Sequence, residues 1–193
     1  MQAAFHGISR QRFWWLALGV TLLLPLVLTS GTLATEVLVY AMAVMACNVL
    51  LGYTGLLSFG QGIFFGLGSY AAGIGLTQLA LPMPVALVLA VVVGAVVAAV
   101  VGWFAIRQRG TYFVMLTLAF SQMFYFLAYT TPSLTGGDNG LLDIPRPAFA
   151  ASPWAFYAFV AALFLVVFFL VQRVTESVFG RTLLAIRDNE ERA

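Results

Sequence analysis

Six runs of apolar residues partition this chain of 193 residues, and their lengths constrain the fold more than any other feature. They extend from about Phe13 to Thr29, Val37 to Leu51, Leu56 to Leu81, Val85 to Ile106, Tyr112 to Thr130 and Trp154 to Val171. A helix that crosses a bilayer needs about 20 predominantly apolar residues, and each run reaches or approaches that length. The second run is short; it is expected to extend to Gly52 or to begin before Val37, because Glu36 can keep its carboxylate at the membrane surface. Alternation with period two is absent from the runs, which selects helices over a transmembrane barrel. The expected fold is all-α, a polytopic transmembrane helical bundle with about six spanning segments, one of them broken or kinked at glycine.

Composition agrees with that reading. The chain is 62% hydrophobic and 15% aromatic with a mean hydropathy of +1.00, too apolar for a soluble globule, so an integral membrane protein is expected. The single Cys47 lies in an apolar run, where a small packing residue is the simple reading and an internal disulfide is impossible. The nine basic residues are all arginine and gather near the ends of the runs. With six crossings and a cytoplasmic N-terminus, Arg10, Arg12, Arg107, Arg109, Arg173, Arg181, Arg187 and Arg192 share the cytoplasmic side, and Arg146 alone lies outside. Arg10 and Arg12 before an apolar run also imitate a signal peptide. The run is long for one and no small-residue cleavage site follows, so an uncleaved first helix is expected.

Chemistry of an enzymatic kind has no foothold. The lone His6 sits in the N-terminal tail, so neither a zinc site of the HExxH type nor a Ser-His-Asp triad can be assembled. No phosphate-binding GxxxxGK[ST] loop occurs, and a chain without lysine cannot supply its lysine. The run Gly136-Gly137-Asp138-Asn139-Gly140 offers too few oxygen ligands for a calcium loop and reads as a turn. No catalytic residue, metal or cofactor is expected, and no nucleic-acid partner. The surrounding stretch Thr131 to Pro153, with Pro132, Pro145, Pro147 and Pro153, is expected to be a structured external loop or partly re-entrant hairpin, too short for a core of its own.

Glycine and the few polar residues within the runs mark the candidate pathway. Between Gly52 and Gly75 the chain reads GYTGLLSFGQGIFFGLGSYAAGIG, including a GxxxG pair at Gly62 and Gly66. Two readings stand: tight packing against another helix, or a discontinuous helix that exposes backbone groups beside Ser58 and Gln61 at mid-membrane. A second small-residue stripe at Gly94, Ala98 and Gly102 needs nothing beyond packing. Asn48, Ser58, Gln61, Thr117, Ser121 and Gln122 must each find a partner or a wet cavity, because an unsatisfied polar group in hydrocarbon costs several kcal/mol. Thr117, Ser121 and Tyr125 share one helical face, with Gln122 at its margin. That face lines a pathway, or its hydroxyls bond back to their own helix. No run carries a carboxylate near its centre, which argues against a proton-relay pump.

The last stretch, Gly180 to Ala193, is charged where the rest of the chain is not, and must lie in water beside the membrane. Gly180 is expected to end the sixth spanning helix in a left-handed conformation. A short amphipathic helix then follows, offering Leu183, Leu184 and Ile186 to a partner with Arg187, Asp188, Glu191 and Arg192 solvated. Residues 174–193 form the expected cytoplasmic docking segment.

Four ordered blocks give this chain a resemblance. Gly52-Tyr53-Thr54-Gly55-Leu56-Leu57-Ser58-Phe59-Gly60-Gln61-Gly62 with Phe65-Gly66-Leu67-Gly68-Ser69-Tyr70, then Arg107-Gln108-Arg109-Gly110-Thr111-Tyr112-Phe113 leading to Thr117-Leu118-Ala119-Phe120, then Thr135-Gly136-Gly137-Asp138-Asn139-Gly140-Leu141, and finally Gly180-Arg181 through Ala185-Ile186-Arg187-Asp188-Asn189-Glu190, stand in the order and spacing of a known family. The chain resembles the branched-chain amino acid ABC transporter permeases of the LivM type. The resemblance implies one permease domain over residues 1–193 and a multi-pass location in a bacterial inner membrane. The partners it implies are a second related permease, two ATP-binding subunits and an extracytoplasmic binding protein, with lipid around the helices. It also implies that Gly180, Arg181, Ala185, Arg187, Asp188, Asn189 and Glu190 contact the ATPase. Permeases for urea and amides belong to the same resemblance, and an ATP-independent channel or secondary carrier is the alternative from another class. Because such permeases continue through further helices beyond the point matching Ala193, an N-terminal fragment is expected.

Overall fold

A computed structural model describes residues 10–108 and 110–188. The described regular structure is entirely helical. Its α-helices are α1 (Arg10–Val27), α2 (Gly31–Val49), α3 (Gln61–Thr77), α4 (Met83–Ala105), α5 (Thr111–Thr130), the single turn α6 (Pro132–Thr135), α7 (Pro153–Glu176) and α8 (Val178–Asp188). A π-helical turn over Leu50–Thr54 continues α2, and 3-10 turns occupy Gly137–Asn139 and Ala148–Ala150. Proline opens several of these helices, as Pro132 does in α6 and Pro153 in α7, where a missing N–H removes no helical hydrogen bond.

Among the described residues, four helices are long and apolar enough to cross a membrane: Gly31–Thr54, Met83–Ala105, Thr111–Thr130 and Pro153–Glu176. Of the about six expected spans, these four are candidates among the described residues. In the first run, α1 extends over Arg10–Val27, and its part Ala17–Val27 is a shorter apolar helix. In the third run the helix is interrupted. Gly55 takes a φ of 72°, residues 55–60 leave the helix, and α3 retains 17 residues. At a rise of 1.5 Å per residue such a helix is about 26 Å long, short of the roughly 30 Å hydrocarbon layer. The second run lengthens instead, starting at Gly31 and reaching Thr54 through the π turn.

The chain divides into two compact units, residues 1–49 with 148–193 and residues 50–147. In the first, α2 and α7 pack along a core of Ala34, Leu38, Tyr157, Val160 and Phe164, which Ala17 of α1 joins. Gly31 permits the start of α7 to lie against it, because a Cβ there would sit 3.2 Å from the Pro153 carbonyl carbon. The Tyr157 hydroxyl donates to the Thr21 carbonyl at 2.6 Å, so the one polar tip in this core is satisfied. Trp14 meets Phe168 edge to face at 5.7 Å.

The elbow between α7 and α8 corrects the expectation for Gly180. Helix α7 ends at Ser177, which turns to extended backbone while its hydroxyl donates to the Val174 carbonyl at 2.6 Å. Gly180 lies buried inside α8, outside the left-handed region. Its role is close approach: a Cβ at 180 would run into the backbone carbonyl of Thr175.

In the second unit, α3 packs against α4 and α5. Gly75 and Gly68 lie on the face of α3 that meets α4: a Cβ on Gly75 would be in van der Waals contact with the Ala86 Cβ at 3.4 Å, and one on Gly68 would stand 3.9 Å from the Ala90 carbonyl. The loop after α5 is ordered by Thr135, whose hydroxyl bonds to the carbonyls of Ala128 and Thr131 and accepts the Gly137 N–H at 3.2 Å.

Candidate functional site

The interruption before α3 is the first part of the site. Six residues outside any helix leave backbone amides that hydrocarbon cannot satisfy, and two of the sequence's polar candidates meet that need. The Ser58 hydroxyl accepts the Gly60 N–H at 3.1 Å, and the buried Thr117 hydroxyl of α5 accepts the Phe59 N–H at 3.3 Å while donating to the Val114 carbonyl at 3.0 Å. Gly60 fits beneath them, since its Cβ would stand 3.3 Å from the Ser58 oxygen and 3.6 Å from the Thr117 Cβ. Thr117 thus ties the broken segment to α5.

The second part is a cavity of about 520 Å³ between α3 and α5, closed at one end by the Gly137–Asn139 turn. Gly62, Ile63, Gly66, Leu67 and Tyr70 line it from α3; Ser121, Phe124, Tyr125, Ala128 and Tyr129 line it from α5. Gly137, Asp138, Asn139 and Gly140 complete the lining. Tyr125 and Tyr129, one turn apart, stack with centroids 6.3 Å apart. The GxxxG pair faces this space and no neighbouring helix, for a Cβ on Gly62 or Gly66 would meet nothing within 4 Å. A cavity of this volume lies within the range of small-molecule sites, which combine apolar walls with a few placed polar groups.

The closing turn is held from both sides. Gly136 has a φ of 79°, and a Cβ on it would strike the Gly140 carbonyl, so the chain can double back here only through glycine. On the far side, Leu141 and Ile144 seat against Gly73 of α3, where a Cβ would lie 2.8 Å from the Leu141 Cδ1 and 3.5 Å from the Ile144 Cδ1.

Of the sequence's pathway candidates, Ser121 lines the cavity. Ser58 and Thr117 gather at the helix interruption. Gln61 is half-buried at the start of α3, Gln122 is exposed on α5 away from the cavity lining, and Asn48 is exposed on α2. Sequence reasoning passed over Tyr70, Phe124 and Tyr129 as lining residues, and treated Asp138 and Asn139 as a turn only. The repeat of Ser121, Tyr125 and Tyr129 at intervals of four was the available signal.

The terminal candidates lie on α8. Arg181, Ala185 and Arg187 are exposed, Gly180 is buried, and Asp188 is the last residue of the helix; Asn189 and Glu190 lie outside the described residues, as do Glu191, Arg192 and, between α4 and α5, Arg109. The apolar side chains most open on α8 are Val178, Phe179 and Ile186, while Leu183 and Leu184 are half-buried.

Against known proteins, residues 29–193 match the family model described as the branched-chain amino acid transport system permease component. The chain belongs to that permease family. The match covers α2 through α8, and so includes the interrupted helix, the cavity and the elbow. The high-affinity branched-chain amino acid transport system permease protein LivM of Salmonella typhimurium is 26% identical over 212 residues, covering 95% of this chain and 50% of the relative. The LivM protein of Escherichia coli is 26% identical over 195 residues, covering 86% of this chain and 46% of the relative. The chain spans about half the length of the curated relatives it matches. No solved structure matches it. The family is described as the permease component of a transport system, and the four long apolar helices agree with that description.

Proposed function

We propose that this chain is the membrane-embedded permease of an ATP-driven importer that moves branched-chain or related amino acids across a bacterial inner membrane. The observation that carries the reading is the aromatic cavity between α3 and α5 with its polar closing turn, inside a chain that belongs to the permease family. Its partners are a second related permease, two ATP-binding subunits and an extracytoplasmic binding protein. The bundle has six crossings, with α1 and the segment containing α3 joining the four long helices. The N-terminus is cytoplasmic, as the arginine distribution requires.

Transport proceeds by alternating access. The binding protein delivers the solute, and ATP binding and hydrolysis on the partner subunits move α8 through the elbow at Ser177. The permease helices then rock so that the cavity faces one side or the other. Ser121 borders the solute's path; Ser58, Gln61 and Thr117 hold the interrupted helix open beside it, with Asn48 and Gln122 further along. Gly180, Arg181, Ala185, Arg187, Asp188, Asn189 and Glu190 form the ATPase contact, and the exposed Phe179 and Val178 add apolar area to it.

The deciding experiment uses the full-length permease assembled with its partners in liposomes. Radiolabelled leucine accumulates when ATP is supplied and fails to accumulate without it; equal uptake in both conditions assigns the chain to a channel or secondary carrier. In the same preparation, cysteines placed at Asn139 and at Gln108 in a Cys47→Ala background label with an impermeant maleimide from opposite faces. Labelling of both from one face contradicts the six-crossing arrangement.

A further inference from the structure

We infer that Asp138 selects solutes carrying a positively charged amino group, and that Leu141, keyed into α3 at Gly73, holds it at the end of the cavity. The inference rests on the permease reading above and deepens it. Asp138 is the one ionisable carboxyl among the lining residues, and no arginine lines the cavity with it. The remaining walls are aromatic and aliphatic, broken by hydroxyls and an amide. Asp138 is itself exposed, so water screens it, and the carboxylate gives the end of this cavity a modest preference for a cation that no lining arginine cancels. The faces of Tyr125 and Tyr129 add to the same preference. Ile63 and Leu67 of α3 and Phe124 of α5 offer apolar surface for a hydrocarbon body. The chemical class that fits both ends is a compact aliphatic solute with one charged amino group, which a branched-chain amino acid presents as its ammonium.

Position is what makes the carboxylate selective. Asp138 sits in the 3-10 turn Gly137–Asn139, and that turn is fixed on one side by the Thr135 hydroxyl accepting the Gly137 N–H at 3.2 Å. On the other side Leu141 occupies the space that a side chain at Gly73 would need, its Cδ1 2.8 Å from a Cβ built there. Leu141 is therefore a positioning residue, acting on the solute only through Asp138.

The test measures initial rates of ATP-dependent leucine uptake by the full-length assembled transporter in liposomes. Asp138→Asn keeps the size and turn preference of the residue and removes its charge; uptake is expected to fall about fivefold with assembly and basal ATP hydrolysis unchanged. Asp138→Glu, which restores the charge, is expected to recover at least about a third of the wild-type rate. Gly73→Ala is expected to lower uptake by displacing Leu141, and Leu141→Ala in the same chain to recover part of it. Wild-type uptake that persists within twofold in Asp138→Asn, or equal losses in the Asn and Glu variants, overturns the inference and leaves the permease reading standing. A wild-type transporter that moves no leucine with ATP overturns both.

Discussion

Helix pairs of similar composition meet different fates in the two units of this chain. Along α2 and α7, Ala34, Leu38, Tyr157, Val160 and Phe164 close on one another, and the only polar tip among them bonds to a carbonyl. Along α3 and α5, equally apolar residues stand apart and line a cavity of about 520 Å³. Hydrophobicity cannot make the difference, because lipid is as apolar as leucine and favours neither arrangement. Shape and backbone satisfaction do. In the first pair large and small residues interdigitate over whole turns. In the second, glycine at 62 and 66 withdraws the wall, and the interruption at residues 55–60 shortens the helix that could have filled the gap.

Three substitutions break or sharpen this contrast, taken from the largest expected effect to the smallest. Leu38 is 1% exposed, so Leu38→Ala opens a void in the closed pair and is expected to cost about 2 to 4 kcal/mol. Thermal unfolding of the full-length protein in lipid measures it; a loss below about 0.5 kcal/mol means that the α2 and α7 core is no tighter than the cavity. Thr117→Val preserves shape but leaves the Phe59 N–H without its acceptor, at an expected cost of about 1 to 2 kcal/mol. The loss should be local, read as faster hydrogen exchange at the amides of Phe59 and Gly60, and unchanged exchange there dissociates Thr117 from the interruption. Gly62→Ala has the opposite sign. Since nothing lies within 4 Å of the added methyl, the helix gains about 0.5 to 1 kcal/mol in propensity while the cavity narrows. A destabilised Gly62→Ala protein shows that a helix packs on that face in the assembled protein, and the cavity wall is then an interface.

Corresponding positions in the sequence carried different amounts of this information. The helical class follows from apolar runs near the bilayer length, and the boundaries of α4, α5 and α7 lie close to the expected Val85 to Ile106, Tyr112 to Thr130 and Trp154 to Val171. The break in the third run was legible as one of two readings of its glycines, tight packing being the other, and the backbone at residues 55–60 decides for the discontinuous helix. Gly180 was misjudged. A glycine near a helix end signals a left-handed cap, yet the same residue serves where two backbones touch, and sequence spacing does not separate the two. Thr117 and Ser58 stood out as polar residues that needed partners, but the partner of Thr117 lies 58 positions away.

What the sequence determined by itself is therefore what acts locally or by sum: helices over strands, membrane over water, the glycine-rich stretch as special, and an ordered set of blocks characteristic of a permease. The tertiary structure alone decided which faces meet. Gly68 and Gly75 turn to α4, Gly73 receives Leu141, and Gly62 with Gly66 fronts the cavity, although all five belong to one helix and one residue type. A glycine carries no side chain to declare its face. Its role is fixed by whatever approaches the space it leaves, and that is a property of distant segments brought together in the fold.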